Sequence, residues 1–222
     1  MTHGKLFISL FIAVLLGCSE SKPGAAPAGG SAINTGYDPK AFPEEAPGVE
    51  PEGGYSTLAG LIESRNATPE RVQDLLDLGA DVMEVGDRGW TPLHWAASNS
   101  RDPEVIALLL EAGADVHAKA SGFVPLHCAA MVNPNPNIIL MLLEGGAEVN
   151  ARLDSGENPL WMACSSAQKN PDIIQVLLAK GADTNKKNSA GEVPLDFARR
   201  NGALKGTDAL EALKSATSFF NR

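Results

Sequence analysis

Four segments of the chain place apolar residues at i, i+3 and i+4: Val72, Leu75 and Leu76; Val105, Leu108 and Leu109; Ile138, Met141 and Leu142; Ile173, Val176 and Leu177. That spacing lines one face of a helix. A polar residue and a proline precede each segment, at Thr68-Pro69, Asp102-Pro103, Asn135-Pro136 and Asn170-Pro171, and each proline stands ten residues before a glycine. A polar N-cap satisfies an orphan amide, and proline at the first helical position gives up no hydrogen bond. Glycine accepts the left-handed conformation that ends a helix. The pattern predicts four amphipathic helices of about two and a half turns each.

The same punctuation recurs along the chain. Gly79-Ala80-Asp81, Gly113-Ala114-Asp115, Gly146-Ala147-Glu148 and Gly181-Ala182-Asp183 are separated by 34, 33 and 35 residues, and Pro92-Leu93, Pro125-Leu126, Pro159-Leu160 and Pro194-Leu195 by 33, 34 and 35. Two independent markers with one period identify a repeat array. The prolines of the second set open a further helix in each unit. Three residues on stand Trp95, Cys128, Met162 and Phe197, always apolar, which reads as core.

Thr91 to Ala97 (TPLHWAA) and Pro125 to Ala130 (PLHCAA), followed in the first case by Val105 to Val116 (VIALLLEAGADV), resemble the signature of the ankyrin-repeat family. The resemblance covers residues 56–218, some three quarters of the chain. It implies an all-α solenoid of stacked helix-turn-helix units with β-hairpin-like connecting loops, about five units including caps. One helix pair cannot bury its apolar face alone, so neighbours must stack and the ends must be capped.

Departures from the family pattern mark the ends. Ser56 to Ala80 lacks Pro-Leu-His and reads as the N-terminal cap. Ala190 to Ser218 carries Asp196 for the family's His and Arg199 for its second Ala, which suits a water-facing C-terminal cap, with Thr207 capping a last helix through Leu213. Trp161 takes the place of the family's His in the third full repeat, so the resemblance does not carry that His's hydrogen bonds over to this unit. The loops between paired helices, Ser98 to Arg101, Val132 to Pro134 and Ser165 to Lys169, are long for the family.

The first 55 residues follow different rules. An apolar run from Leu6 to Leu16, after Lys5, is too short to cross a bilayer and has the layout of a secretory signal peptide. Leu15-Leu16-Gly17-Cys18 resembles the lipobox of bacterial lipoproteins, which implies cleavage after residue 17 and acylation of Cys18. Ser19 is the family's signal for the outer membrane, facing the periplasm. Residues 18–55, with Pro23, Pro27, Pro39, Pro43, Pro47 and Pro51, hold too little apolar sequence for a core and read as a linker reaching about 30 to 35 Å. Residues 219–222 are a tail.

Composition narrows the function. Formal net charge is −9, and loss of residues 1–17 leaves 18 basic residues less Lys5 against 27 acidic ones, about −10. That balance opposes nucleic acid and anionic lipid and favours a basic partner surface. No nucleophile with a base, metal cluster or phosphate loop stands out, so no catalytic residue, metal site or cofactor is assigned. His94 and His127 stand one repeat apart and are read as bonding their own repeats' backbone. Cys128 and Cys164 are expected to be buried free thiols, since packed helices exceed the Cα separation of a disulfide.

Ankyrin repeats serve as recognition scaffolds, so the resemblance implies a monomeric, lipid-anchored envelope protein that binds another protein through its concave face. Positions mapping to the tips and hairpin strands are Asp87, Arg88, Trp90, Ser121, Phe123, Ser155, Glu157 and Glu192, which change type from unit to unit. The partner would be a toxin, countered by an immunity protein, or a stress-related envelope component. The competing readings are a hydrolase or small-ligand protein that uses the concavity as a cleft, and a cytosolic ankyrin protein.

Overall fold

The computed structural model describes residues 57–86, 89–166 and 171–219. The signal peptide, Cys18, the linker, Asp87, Arg88 and the cap residue Asn170 lie outside the described residues. Ten α-helices follow one another among those described: α1 (Leu58–Glu63), α2 (Pro69–Asp77), α3 (Pro92–Asn99), α4 (Pro103–Glu111), α5 (Pro125–Val132), α6 (Pro136–Glu144), α7 (Pro159–Ser165), α8 (Pro171–Ala179), α9 (Pro194–Arg200) and α10 (Asp208–Phe219). The odd-numbered helices pack side by side as one layer and the even-numbered ones as a second. This is the all-α repeat solenoid.

Local chemistry sets each helix end. Thr68, Asp102 and Asn135 accept from Arg71 N, Glu104 N and Asn137 N, as N-caps do. At the other end, Gly79, Gly113, Gly146 and Gly181 have φ of 83°, 94°, 96° and 85°. In each case the glycine amide and the next one bond back to the second- and third-last helical carbonyls, as in Gly79 N to Leu76 O and Ala80 N to Leu75 O, both 2.9 Å.

Small residues let the odd layer pack closely. Ala96, Ala97, Ala129, Ala130, Ala163, Cys164 and Ala198 are buried there beside Leu93, Leu126, Leu160 and Leu195. Val72, Val105, Ile106, Leu109, Ile138, Ile139, Leu142, Ile173, Ile174 and Leu177 are the buried face of the even layer. Cys128 and Met162 are fully enclosed, whereas Trp95 and Phe197 are half-buried. Leu58, Leu61 and Ile62 close the core at the N-terminal end, with Thr57 Oγ1 accepting from Gly60 N at 3.1 Å. At the C-terminal end α10 runs to Phe219, past the Leu213 boundary expected, because Ala209, Leu210, Leu213 and Thr217 keep a buried stripe along it.

Candidate protein-binding face

The connecting loops are tight turns built in two ways. At Gly86–Trp90, Leu153–Glu157 and Asn188–Glu192 the first residue's amide bonds to the last residue's carbonyl at 2.8, 3.0 and 3.0 Å across three intervening residues. The third of those is Gly89, Gly156 or Gly191, with φ of 78°, 97° and 78°. The remaining loop is one residue shorter. Ala120 and Phe123 exchange both backbone bonds at 2.9 Å, and the residues between them, Ser121 and Gly122, take φ of 50° and 86°. A two-residue turn with positive φ at both positions matches the twist of a hairpin. This loop supplies the only bridge pair among the described residues, so the others are hairpin-like in outline only.

Side chains stitch each loop to the next. His94 Nδ1 accepts from Thr91 N, 3.3 Å, and lies 2.9 Å from Thr91 Oγ1, while its Nε2 donates to Phe123 O in the following unit at 3.0 Å. His127 repeats this with Val124 N at 3.3 Å and Ala151 O at 3.1 Å. The imidazoles therefore tie two units together instead of bonding only their own, as expected from sequence. Both rings are held as neutral imidazole: burial pushes His127 down to about 4 and lowers His94, with the accepting carbonyls opposing the shift.

Where Trp161 displaces the His, Asn158 does its work. Asn158 Oδ1 accepts from Trp161 N and its Nδ2 donates to Asp183 O of the next unit, both at 3.0 Å. Trp161 fills the freed space, its ring 4.0 Å from that of Phe197. In the last unit Asp196 Oδ2 accepts from Val193 N at 3.1 Å and is half-buried, so it caps α9 and does not simply face water as expected.

The sequence-selected binding positions divide by exposure. Ser121 and Ser155 are exposed, and Phe123 and Glu192 are half-buried, with Glu192 paired to Arg200 at 2.7 Å. Trp90 and Glu157 point inward, at 1% and 3% exposure, which removes them from any contact surface. Trp90 packs on Trp95 and His94 because the loop folds its ring under the first helix. Glu157 Oε2 accepts from Ser155 Oγ, and Oε1 accepts from Asn188 Nδ2 at 3.3 Å, which links the third and fourth full units. The exposed loop residues outside this selection include Met83, Val85, His117, Lys119, Asn150, Arg152, Asp154, Lys186 and Lys187, all legible by counting from the helix-ending glycines.

Among the described residues no group of three or more His, Cys, Asp or Glu could hold a metal ion, and no helix is long and apolar enough to cross a membrane. Cys128 and Cys164 are free and buried, as expected. An open depression between α9 and α10, bounded by Leu195, Arg199, Lys214, Ser215, Thr217 and Ser218, pairs no acid with a base for catalysis.

A family model described as ankyrin repeats in three copies matches residues 61–153 and 126–217. The chain belongs to the ankyrin-repeat family. An ankyrin repeat protein of Fowlpox virus (strain NVSL) is 48% identical over 46 residues, which is 21% of this chain and 9% of that protein. The chain thus covers under a tenth of that relative, over a stretch somewhat longer than one repeat. Ankyrin repeats point to a protein partner, and the exposed loop edge is where this array offers varied side chains on a fixed frame.

Proposed function

We propose that this ankyrin protein is anchored by an acylated Cys18 in a bacterial outer membrane, faces the periplasm on a linker of residues 19–55, and binds a protein partner through its loops and odd-numbered helices. The observation that carries the binding reading is the exposure of Ser121 and Ser155 on turns locked to their neighbours by His94, His127, Asn158 and Glu157. A surface that is rigid before contact loses little conformational entropy on binding. The lipobox-like Leu15-Leu16-Gly17-Cys18 carries the anchor. A tethered binder meets its target at raised local concentration, which suits interception of a toxin or protection of an envelope component.

A photo-crosslinking amino acid placed at Ser121 or Ser155 tests the binding face, with Gln175 on the exposed side of α8 as control. A discrete crosslinked envelope protein from the loop positions and none from Gln175 supports the reading; no product, or equal products, overturns it. Palmitate incorporation lost in Cys18→Ser tests the anchor separately. Envelope fractionation of the labelled wild type then places it.

A further inference from the structure

Four and six residues beyond the helix-ending glycines stand, unit by unit, Met83 and Val85, His117 and Lys119, Asn150 and Arg152, Asn185 and Lys187. The first pair is apolar and open to water, at 43% and 66% exposure, and the three later units place an exposed cation at the second position. These loops are in register and in contact. His94 reaches Phe123 O, His127 reaches Ala151 O, and Arg152 Nη2 donates to Lys187 O at 3.4 Å. The edge therefore reads apolar, basic, basic, basic.

Resting on the protein-binding reading, we propose that this edge is a docking track for an extended polypeptide segment bearing one apolar residue followed by regularly spaced carboxylates. Packed helices repeat at about 8 to 10 Å, and a segment in the polyproline II conformation advances about 3.1 Å per residue and brings every third side chain back to the same face. One carboxylate at every third residue therefore meets one cation per repeat. An apolar side chain ahead of them covers Met83 and Val85. The acids of the same loops do not cancel the row: Asp115 and Asp183 turn Oδ1 back to accept from His117 N and Asn185 N, both at 2.8 Å, and Asp183 pairs with Lys186 at 3.8 Å. Glu148 and Asp154 are exposed and face the same solvent, which disfavours a segment with clustered acids. The overall charge of −9 would draw a basic partner, so the track selects against the field of the rest of the protein.

Fluorescence polarisation on the full-length protein in neutral detergent decides this. The probes are a 12-residue peptide with Leu followed by Asp at every third position, an isomer of the same composition with its acids adjacent, and a version with Lys for Asp. The spaced peptide is expected to bind about tenfold tighter than its isomer, more strongly at low salt, and the Lys version not at all. Lys119→Ala, Arg152→Ala and Lys187→Ala should each weaken it about two- to fivefold, the range for exposed ion pairs, while Arg152→Lys retains binding. Equal affinity for the two isomers, or insensitivity to the alanine changes, overturns the track. Crosslinking from Ser121 and Ser155 separates the cases: a captured partner with no peptide preference ends this inference alone, and no capture ends the binding reading too.

Discussion

His127 Nε2 donates to the carbonyl of Ala151 in the following repeat at 3.1 Å, while its Nδ1 accepts from Val124 N at 3.3 Å. The Nδ1 bond needs the neutral ring, because a proton there would face an N–H donor, whereas the Nε2 bond survives protonation. Burial holds His127 at about 4 in the folded chain, against 6.5 when exposed. The folded value is the lower one, so the unfolded state takes up the proton first. Stability is therefore full above about pH 6.5, falls as pH drops toward 4, and the loss is complete below that, on the order of 3 kcal/mol. Urea denaturation at pH 7.5 and 4.5 should show this slope for the wild type and a shallower one for His127→Gln. An identical slope in both would remove His127 as the cause.

The Ser121-Gly122 turn makes a second test. Positive φ at both positions suits glycine and is strained for residues with a branched Cβ. Gly122→Val is expected to cost about 1 to 2 kcal/mol, although nothing lies within 4 Å of where its Cβ would sit. Ser121→Gly should be neutral or stabilise by up to about 1 kcal/mol. Unfolding midpoints that leave Gly122→Val at the wild-type value would mean that the turn gives up its positive-φ conformation at no cost.

Much of the fold was legible because caps and helix-ending glycines act locally. Pro136 and Gly146 bound α6 through bonds made within ten residues, and sequence states those directly. The single-residue deletion in the Ser121-Gly122 loop was visible as a 33-residue interval, but its turn type was not read. The site was less legible because exposure depends on stacking. Trp90 and Ser121 both map to connecting loops, yet one ring lies beneath a helix and the other side chain faces water. Asp196 looked like a surface substitution because its partner, Val193 N, is identified by backbone geometry and not by residue type.

Asn158 joins two units with one amide, so its removal should be felt on both sides. Asn158→Ala leaves Trp161 N and Asp183 O without these bonds in buried or half-buried positions, at an expected cost of about 2 to 3 kcal/mol. Asn158→Asp keeps the acceptor for Trp161 N and loses only the donor to Asp183 O. It should fall between the wild type and the alanine variant in urea titrations. Should both variants match the wild type, the inter-repeat bond contributes nothing measurable.

Cys128 and Cys164 provide a reporter of how tightly the odd-numbered helices close. Burial raises Cys128 to about 12 and Cys164 further, so at pH 8 almost no thiolate is present in the closed state. Reaction with a thiol reagent must then pass through opening of the array, and its rate follows the population of the open form. In a Cys18→Ser chain, where only these two thiols remain, both should resist an aromatic disulfide reagent for hours in buffer and react within minutes in denaturing urea. Rapid native labelling of Cys164 with Cys128 protected would show instead that α7 to α10 detach as a unit before the rest unfolds. Lowering the pH from 8 to 6.5 should slow labelling of the open form about 25-fold, the factor expected of an ordinary exposed thiol, and should leave the order of the two cysteines unchanged.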